Sequence, residues 1–159
     1  DLTLTTFGVP SGPVQASGYG FAITRSYYTP EGVPVSGAVP QGTRLVVVLD
    51  IAPSEAPGGR LMIDDPLPAG LEIDNPHLIS SGDMSDMEWL ETAYVEHAEF
   101  RSDRFLAQVN RTDAKRFQLA YVVRAITPGT YHQPAASVED MYRPQYMAHT
   151  ASGRLIVSE

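Results

Sequence analysis

The stretch TRLVVVLDIA, residues 43–52, carries large apolar side chains at every second position. A period of two is typical of a β-strand, whose successive side chains point to opposite faces of a sheet. One face of this strand would carry Leu45, Val47, Leu49 and Ile51. Because Val46 and Val48 are apolar too, the other face also needs cover, which predicts a central strand.

Further short segments of strand type lie on both sides of this stretch. They are Phe21–Tyr28, Arg60–Asp64, Leu71–Ile73, Ala98–Asn110, Phe117–Ile126 and Arg154–Ser158. The 13 glycines and 13 prolines are spread along the chain and indicate many turns and few long helices. The sequence therefore predicts an all-β fold, a two-sheet antiparallel sandwich. Its core is predicted to contain Leu45, Val47, Leu49, Phe117, Leu119, Tyr121 and Val123.

One short helix is predicted over Asp86–Thr92. Ser85 can cap its first turn, and Glu88 follows three residues later, which is the spacing of a capping box.

Two parts of the chain are distinguished by their composition. Asp1–Thr6 alternates like a short strand, and the turn-forming segment that follows reads as a linker. We therefore place a boundary near Ser17, with residues 1–17 coming from a preceding domain and residues 18–159 forming the sandwich. Because Asp1 is not an initiator methionine, we expect the chain to be a piece of a longer protein.

The composition excludes several classes of function. A formal net charge of −8 disfavours nucleic acid as a partner, and no apolar run is long enough to cross a membrane. With no cysteine, the chain has no disulfide, thiol nucleophile or zinc–thiolate site.

Candidates for catalysis or metal binding are weak. No two of the four histidines have the local spacing of a metal pair; they are His77, His97, His132 and His149. The acidic residues of GDMSDME, namely Asp83, Asp86 and Glu88, lack the turn glycine of a calcium loop and suit a helix start better. No hydrolase, phosphate-binding or dinucleotide motif occurs. We expect a non-enzymatic domain without metal or cofactor.

A dense charge run lies in HAEFRSDRF, residues 97–105. If it continues one strand, Glu99, Arg101 and Asp103 share a face, where they can pair with one another or with a neighbouring strand. Arg104 completes the run, which we interpret as a solvated structural network.

The segment SVEDMYRPQYMA, residues 137–148, is the strongest functional candidate. It presents Met141 and Tyr142 between an acidic pair and an Arg-Pro step, and Pro144 ends any strand or helix that they could join.

Four segments together resemble a known family. They are YGFAITRSYYTPEG, DDPLPAGLEIDNP, HAEFRSDRFLAQVN and the long tail from Phe117 to Val157, in which RAITPGT precedes VEDMYRP. Spanning roughly residues 18–157, they resemble the carboxy-terminal macroglobulin-like domain, of MG10 type, of bacterial alpha-2-macroglobulins. That resemblance implies a macroglobulin-like β-sandwich.

The same resemblance implies a role within a protease trap. In that family a protease cleaves a bait region, the molecule rearranges, and thioester-bearing members capture the protease covalently. Met141 and Tyr142 match the family's thioester-shielding loop, with Glu139, Asp140, Arg143 and Pro144 as its support and the two acidic charges facing water. The implied partners are the thioester-containing helical domain and neighbouring domains of the same chain, and proteases through the full-length protein. The implied location is the periplasm, with a lipid anchor elsewhere in the parent.

Two alternatives stay open at this stage. Met141 and Tyr142 could instead plug the open end of the sandwich. The domain could also be a stand-alone surface or adhesin module that binds through a sheet edge. A helical domain with a Cys-x-x-Gln motif encoded upstream would favour the trap, and an array of similar sandwiches would favour the adhesin.

Overall fold

The computed structural model describes residues 12–54, 58–74 and 87–159. Within these ranges the chain forms thirteen strands and no helix. The strands are β1 (Ser17–Tyr19), β2 (Phe21–Tyr28), β3 (Val39–Pro40), β4 (Arg44–Pro53), β5 (Gly59–Pro66), β6 (Leu71–Ile73), β7 (His97–Phe100), β8 (Arg104–Arg111), β9 (Phe117–Ala125), β10 (Gly129–Gln133), β11 (Ser137–Asp140), β12 (Met147–His149) and β13 (Gly153–Ser158). The segment at residues 1–6 and the first part of the predicted linker, up to residue 11, lie outside the described residues.

These strands form three sheets. A six-stranded sheet has the order β1-β12-β11-β5-β8-β7, a four-stranded sheet has the order β2-β4-β9-β6, and a three-stranded sheet has the order β10-β13-β3. The neighbouring strands are antiparallel in each sheet, except that β13 and β3 run parallel. The predicted all-β antiparallel fold is confirmed.

The core lies between the six-stranded and four-stranded sheets. All seven side chains predicted to be buried are buried, and the ring of Phe105 on β8 stacks on that of Tyr121 on β9 at 4.5 Å between centroids. Burying each large apolar side chain contributes about 1.5–3 kcal/mol, so this layer supplies most of the driving force for folding.

The predicted helix over Asp86–Thr92 is wrong for the residues that the structure describes. Residues 87–90 form a turn, closed by the Leu90 amide donating to the Met87 carbonyl at 3.0 Å, and residues 91–92 form neither helix nor strand. Met87 and Leu90 pack on Val46 and Val48, so β4 is covered on both faces as predicted. Packing on the sheet replaces the helical bonds that the sequence suggested, while Ser85 and Asp86 lie outside the described residues.

The charge run does not lie on one strand. The predicted strand Ala98–Asn110 is two strands, β7 and β8, joined at residues 101–103. Arg101 therefore reaches back to Glu99, with 2.8 Å between Nε and Oε1, instead of sharing a strand face with it. Phe100 and Phe105 are opposite each other across this hairpin and both pack on the core.

A charged pair crosses the core. Arg25 of β2 donates to the Asp65 carboxylate of β5, and the Tyr121 hydroxyl donates to the same carboxylate at 2.6 Å. Arg25 also donates to the Pro134 carbonyl at 2.6 Å. The Asp65 side chain is fully buried, and the Arg25 side chain is 5% exposed. The pair therefore connects the two large sheets.

Candidate functional site

Met141 and Tyr142 lie at the tip of a hairpin formed by β11 and β12. The Asp140 amide donates to the Tyr146 carbonyl at 3.0 Å, and the Tyr146 amide donates to the Arg143 carbonyl at 2.9 Å. We call residues 141–146 the Met-Tyr loop. These two bonds close it into a tight turn that contains Pro144, and β11 ends at Asp140, four residues before the proline.

The Met-Tyr loop is also attached to the neighbouring strand. The Met141 amide donates to the Arg60 carbonyl of β5 at 2.9 Å, which continues the pairing of β11 with β5 by one residue. The loop therefore leaves the sheet from a fixed position.

Asp140 does not face water, and the expectation that it does is wrong. Its residue is 1% exposed, because Asp140 follows Val138 by two positions and shares that residue's inward face. Its Oδ1 accepts from the amides of Tyr142 at 2.9 Å and Arg143 at 3.0 Å, and its Oδ2 accepts from Arg143 Nε at 3.0 Å. Glu139 is exposed, as expected.

These bonds decide the pKa of Asp140. Burial alone would raise it, but the amide bonds from Tyr142 and Arg143 and the guanidinium of Arg143 together hold the pKa of the Asp140 carboxyl below its ordinary value. The carboxylate is therefore ionised and acts as the acceptor around which the Met-Tyr loop is folded.

Arg143 contacts three parts of the structure from its position in the Met-Tyr loop. Besides Asp140, it donates through Nη2 to the Gly58 carbonyl, just before β5. Its guanidinium carbon lies 5.1 Å from the ring centroid of Tyr146. A side chain at Gly59 would collide with the Asp140 carboxylate, so a residue without Cβ is needed there.

The two side chains at the loop tip point away from the core. Met141 is 45% exposed and Tyr142 is 74% exposed, although Asp140 beneath them is buried and Arg143 is half-buried. They therefore contribute little to the packing of the sandwich.

Two more exposed apolar side chains lie beside the Met-Tyr loop and were not predicted. Tyr19 of β1 and Met147 of β12 are directly opposite in register and are 55% and 39% exposed. The Tyr19 ring stacks on Tyr146 at 5.4 Å with 24° between the ring planes. The pairing of β1 with β12 joins positions 128–132 residues apart in the sequence, which no local pattern reveals.

The described part of the chain brings no three His, Asp or Glu side chains together as a set of metal ligands. No helix among the described residues could span a membrane. Of the histidines, His97 and His132 are exposed, and His149 Nδ1 lies 3.1 Å from the Thr150 carbonyl.

Comparison with known proteins identifies the family. The family described as the bacterial alpha-2-macroglobulin MG10 domain matches residues 20–145. An alpha-2-macroglobulin of Xylella fastidiosa is 38% identical over 131 residues, and that of Escherichia coli is 36% identical over 125 residues. These alignments cover 77% and 73% of this chain, and 8% of each of the two relatives.

Solved structures agree with this assignment. Salmonella alpha-2-macroglobulin reacted with methylamine superposes with a TM-score of 0.81 at 32% identity, over 96% of this chain and 10% of that one. Native Escherichia coli alpha-2-macroglobulin, spanning domain MG7 to the C-terminus, superposes with a TM-score of 0.80 at 31% identity, over 96% and 25%. The chain therefore belongs to the bacterial alpha-2-macroglobulin MG10 domain family.

Proposed function

We propose that this domain is a non-catalytic, carboxy-terminal part of a bacterial alpha-2-macroglobulin that traps proteases. In this proposal it packs on a thioester-bearing helical domain of the same chain, and Met141 and Tyr142 shield the thioester from early hydrolysis. The observation that carries the proposal is an apolar pair, exposed at 45% and 74%, on a loop whose amides at Tyr142 and Arg143 donate to the buried Asp140 carboxylate.

The chemistry of the pair suits a water-excluding contact. A thioester hydrolyses when water reaches it, so its cover needs apolar atoms without gaps. The Met141 thioether is flexible enough to fill an irregular surface, and the Tyr142 ring adds a large rigid area with a polar end. Because the loop beneath is already ordered, docking loses little conformational entropy.

The size of the relatives supports a role inside a larger protein. This chain spans less than a tenth of the two alpha-2-macroglobulins that it matches, so neighbouring domains of the same chain are its expected partners. Proteases would meet the full-length protein and not this domain alone. We further propose that the parent lies in the periplasm on a lipid anchor outside this chain. The family assignment favours this function over an adhesin module.

The test is methylamine reactivity of the full-length parent. Replacing Met141 and Tyr142 with alanine should speed thiol release by roughly tenfold, which corresponds to about 1.4 kcal/mol of lost protection. The matched control is Tyr94→Ala, because Tyr94 is 84% exposed and lies outside the Met-Tyr loop.

The control should leave the rate of thiol release unchanged. A double variant that reacts at the wild-type rate would contradict the shielding role while leaving the family assignment intact.

A further inference from the structure

We propose that Arg143 is a positioning residue that couples the Met-Tyr loop to strand β1 through the stacked rings of Tyr146 and Tyr19. In this arrangement, the pairing of β1 with β12 sets how well the loop is ordered. The effect on a thioester rests on the proposed function, but the coupling itself does not.

Arg143 uses both properties of a guanidinium, its planar set of donors and its flat face. The edge donates to the Asp140 carboxylate and to the Gly58 carbonyl, while the face lies 5.1 Å from the Tyr146 ring centroid. A lysine carries the same charge but offers neither the paired donors nor the flat surface. The Arg143 amide also donates to Asp140, so side-chain and backbone order depend on the same carboxylate.

Tyr146 connects Arg143 to β1 because its ring contacts both. Its ring is stacked against Tyr19 on one strand and lies near Arg143 in the loop. Two glycines allow β1 to lie close enough for that stacking. A Cβ at Gly18 would be 2.7 Å from the Cβ of Ala148, and a Cβ at Gly20, where φ is +77°, would collide with the Tyr146 ring.

Strand β1 is suited to move without disturbing the core. It has three residues, all exposed, and it is the outermost strand of the six-stranded sheet, paired with β12 alone. Short edge strands with few buried contacts open at low free-energy cost. Strand β1 also follows the segment that the sequence predicts as a linker. In that segment Val14 exchanges two hydrogen bonds with Ser152, at 2.9 and 3.0 Å, so a pull on it would act first on this pair and then on β1.

The coupling predicts what happens when β1 leaves β12. Tyr146 loses its stacking partner, the face of Arg143 is less constrained, and the Asp140-centred turn beneath Met141 and Tyr142 loosens. In the proposed function, this would connect movement of the preceding segment to release of the shield.

Amide hydrogen exchange of the 159-residue chain tests the coupling. The reporters are the Tyr142 and Arg143 amides, which both donate to Asp140 Oδ1. Tyr19→Ala should speed their exchange by about twofold to tenfold, the range expected for one aromatic pair, while Tyr19→Phe restores the wild-type rate. Arg143→Lys should speed exchange at least as much.

Matched controls separate coupling from general destabilisation. Tyr94→Ala removes another exposed tyrosine, 84% exposed against 55% for Tyr19, and Arg101→Lys alters a surface pair with Glu99. Both controls should leave the two reporter amides unchanged, and Tyr19→Ala should leave the melting temperature nearly unchanged.

Unchanged exchange in Tyr19→Ala would overturn the inference, even if Arg143→Lys speeds exchange, because Arg143 contacts Asp140 directly. Methylamine reactivity of the full-length parent carrying Tyr19→Ala separates it from the proposed function. Faster exchange with faster thiol release supports both. Faster exchange with unchanged thiol release supports the coupling and contradicts the shielding role.

Discussion

Two arginine–carboxylate pairs in this domain have the same chemistry, but one lies in the core and the other lies at the rim of the sandwich. Arg25 and Asp65 lie inside the sandwich, where the Arg25 side chain is 5% exposed and joins strands 40 residues apart. Arg143 and Asp140 lie three residues apart at the rim, and the Arg143 side chain is 34% exposed. The first pair holds two sheets together, and the second holds one loop.

The carboxylates respond differently to burial. Burial raises the pKa of Asp65, and Arg25 and Tyr121 offset this only in part. At Asp140 burial raises the pKa too, but two backbone amides of its own loop and the Arg143 guanidinium outweigh it. Burying an ionised carboxylate therefore costs little free energy where amides of the local backbone donate to it. The cost is higher where the carboxylate depends on a distant side chain.

The largest expected effect is at the core pair. Arg25→Ala leaves the Asp65 carboxylate buried without its counter-charge, which should lower the free energy of unfolding by about 3–5 kcal/mol in urea denaturation. The double variant Arg25→Met with Asp65→Leu should recover much of this loss, because it removes both charges. A loss below about 1 kcal/mol would show that the core pair is not needed.

The next effect is the pH dependence that comes from Asp140. Since its pKa is lower in the folded state, its stabilising contribution is present above the ordinary carboxyl pKa of 3.8 and is lost as pH falls through the folded value. Unfolding free energies measured from pH 6 to pH 3 should therefore fall less steeply in Asp140→Asn than in the wild type.

Comparing the wild type with Asp140→Asn isolates the contribution of Asp140 to the pH dependence of stability. Asp50 is present in both proteins. Its bonds to Arg116 and Gln118 also lower its pKa, in spite of its burial. Parallel pH profiles would mean that the Asp140 bonds contribute nothing to folding stability.

The sequence predicts the strands in which apolar and polar residues alternate without interruption. It does not predict which strands pair when they are far apart in the chain. The predicted segment at residues 21–28 coincides with β2. Strand β4 is shifted by one residue at both ends relative to the prediction, and β9 ends one residue earlier than predicted. The capping box near residue 85 predicts a helix, yet Met87 and Leu90 instead cover the outer face of β4. Local propensity was overridden by the apolar surface available on the sheet.

The candidate site was predictable in part. Met141 and Tyr142 stand out because a proline follows them, and both are exposed at a loop tip. The inward position of Asp140 had a signal in its spacing of two from Val138, but its charge argued against burial. The contributions of Gly58, Gly59 and Tyr19 depend on which strands are neighbours, and the sequence does not contain that information locally.

The smallest expected effect on stability gives the most direct test of the central claim that the Met-Tyr loop presents its apolar pair outward. Met141→Ala combined with Tyr142→Ala should change the unfolding free energy of the 159-residue chain by less than about 1 kcal/mol in urea denaturation, as expected for exposed side chains. Truncation of buried side chains of this size costs about 2–5 kcal/mol each. A loss in that range would mean that the pair is part of the core, and it would contradict the account.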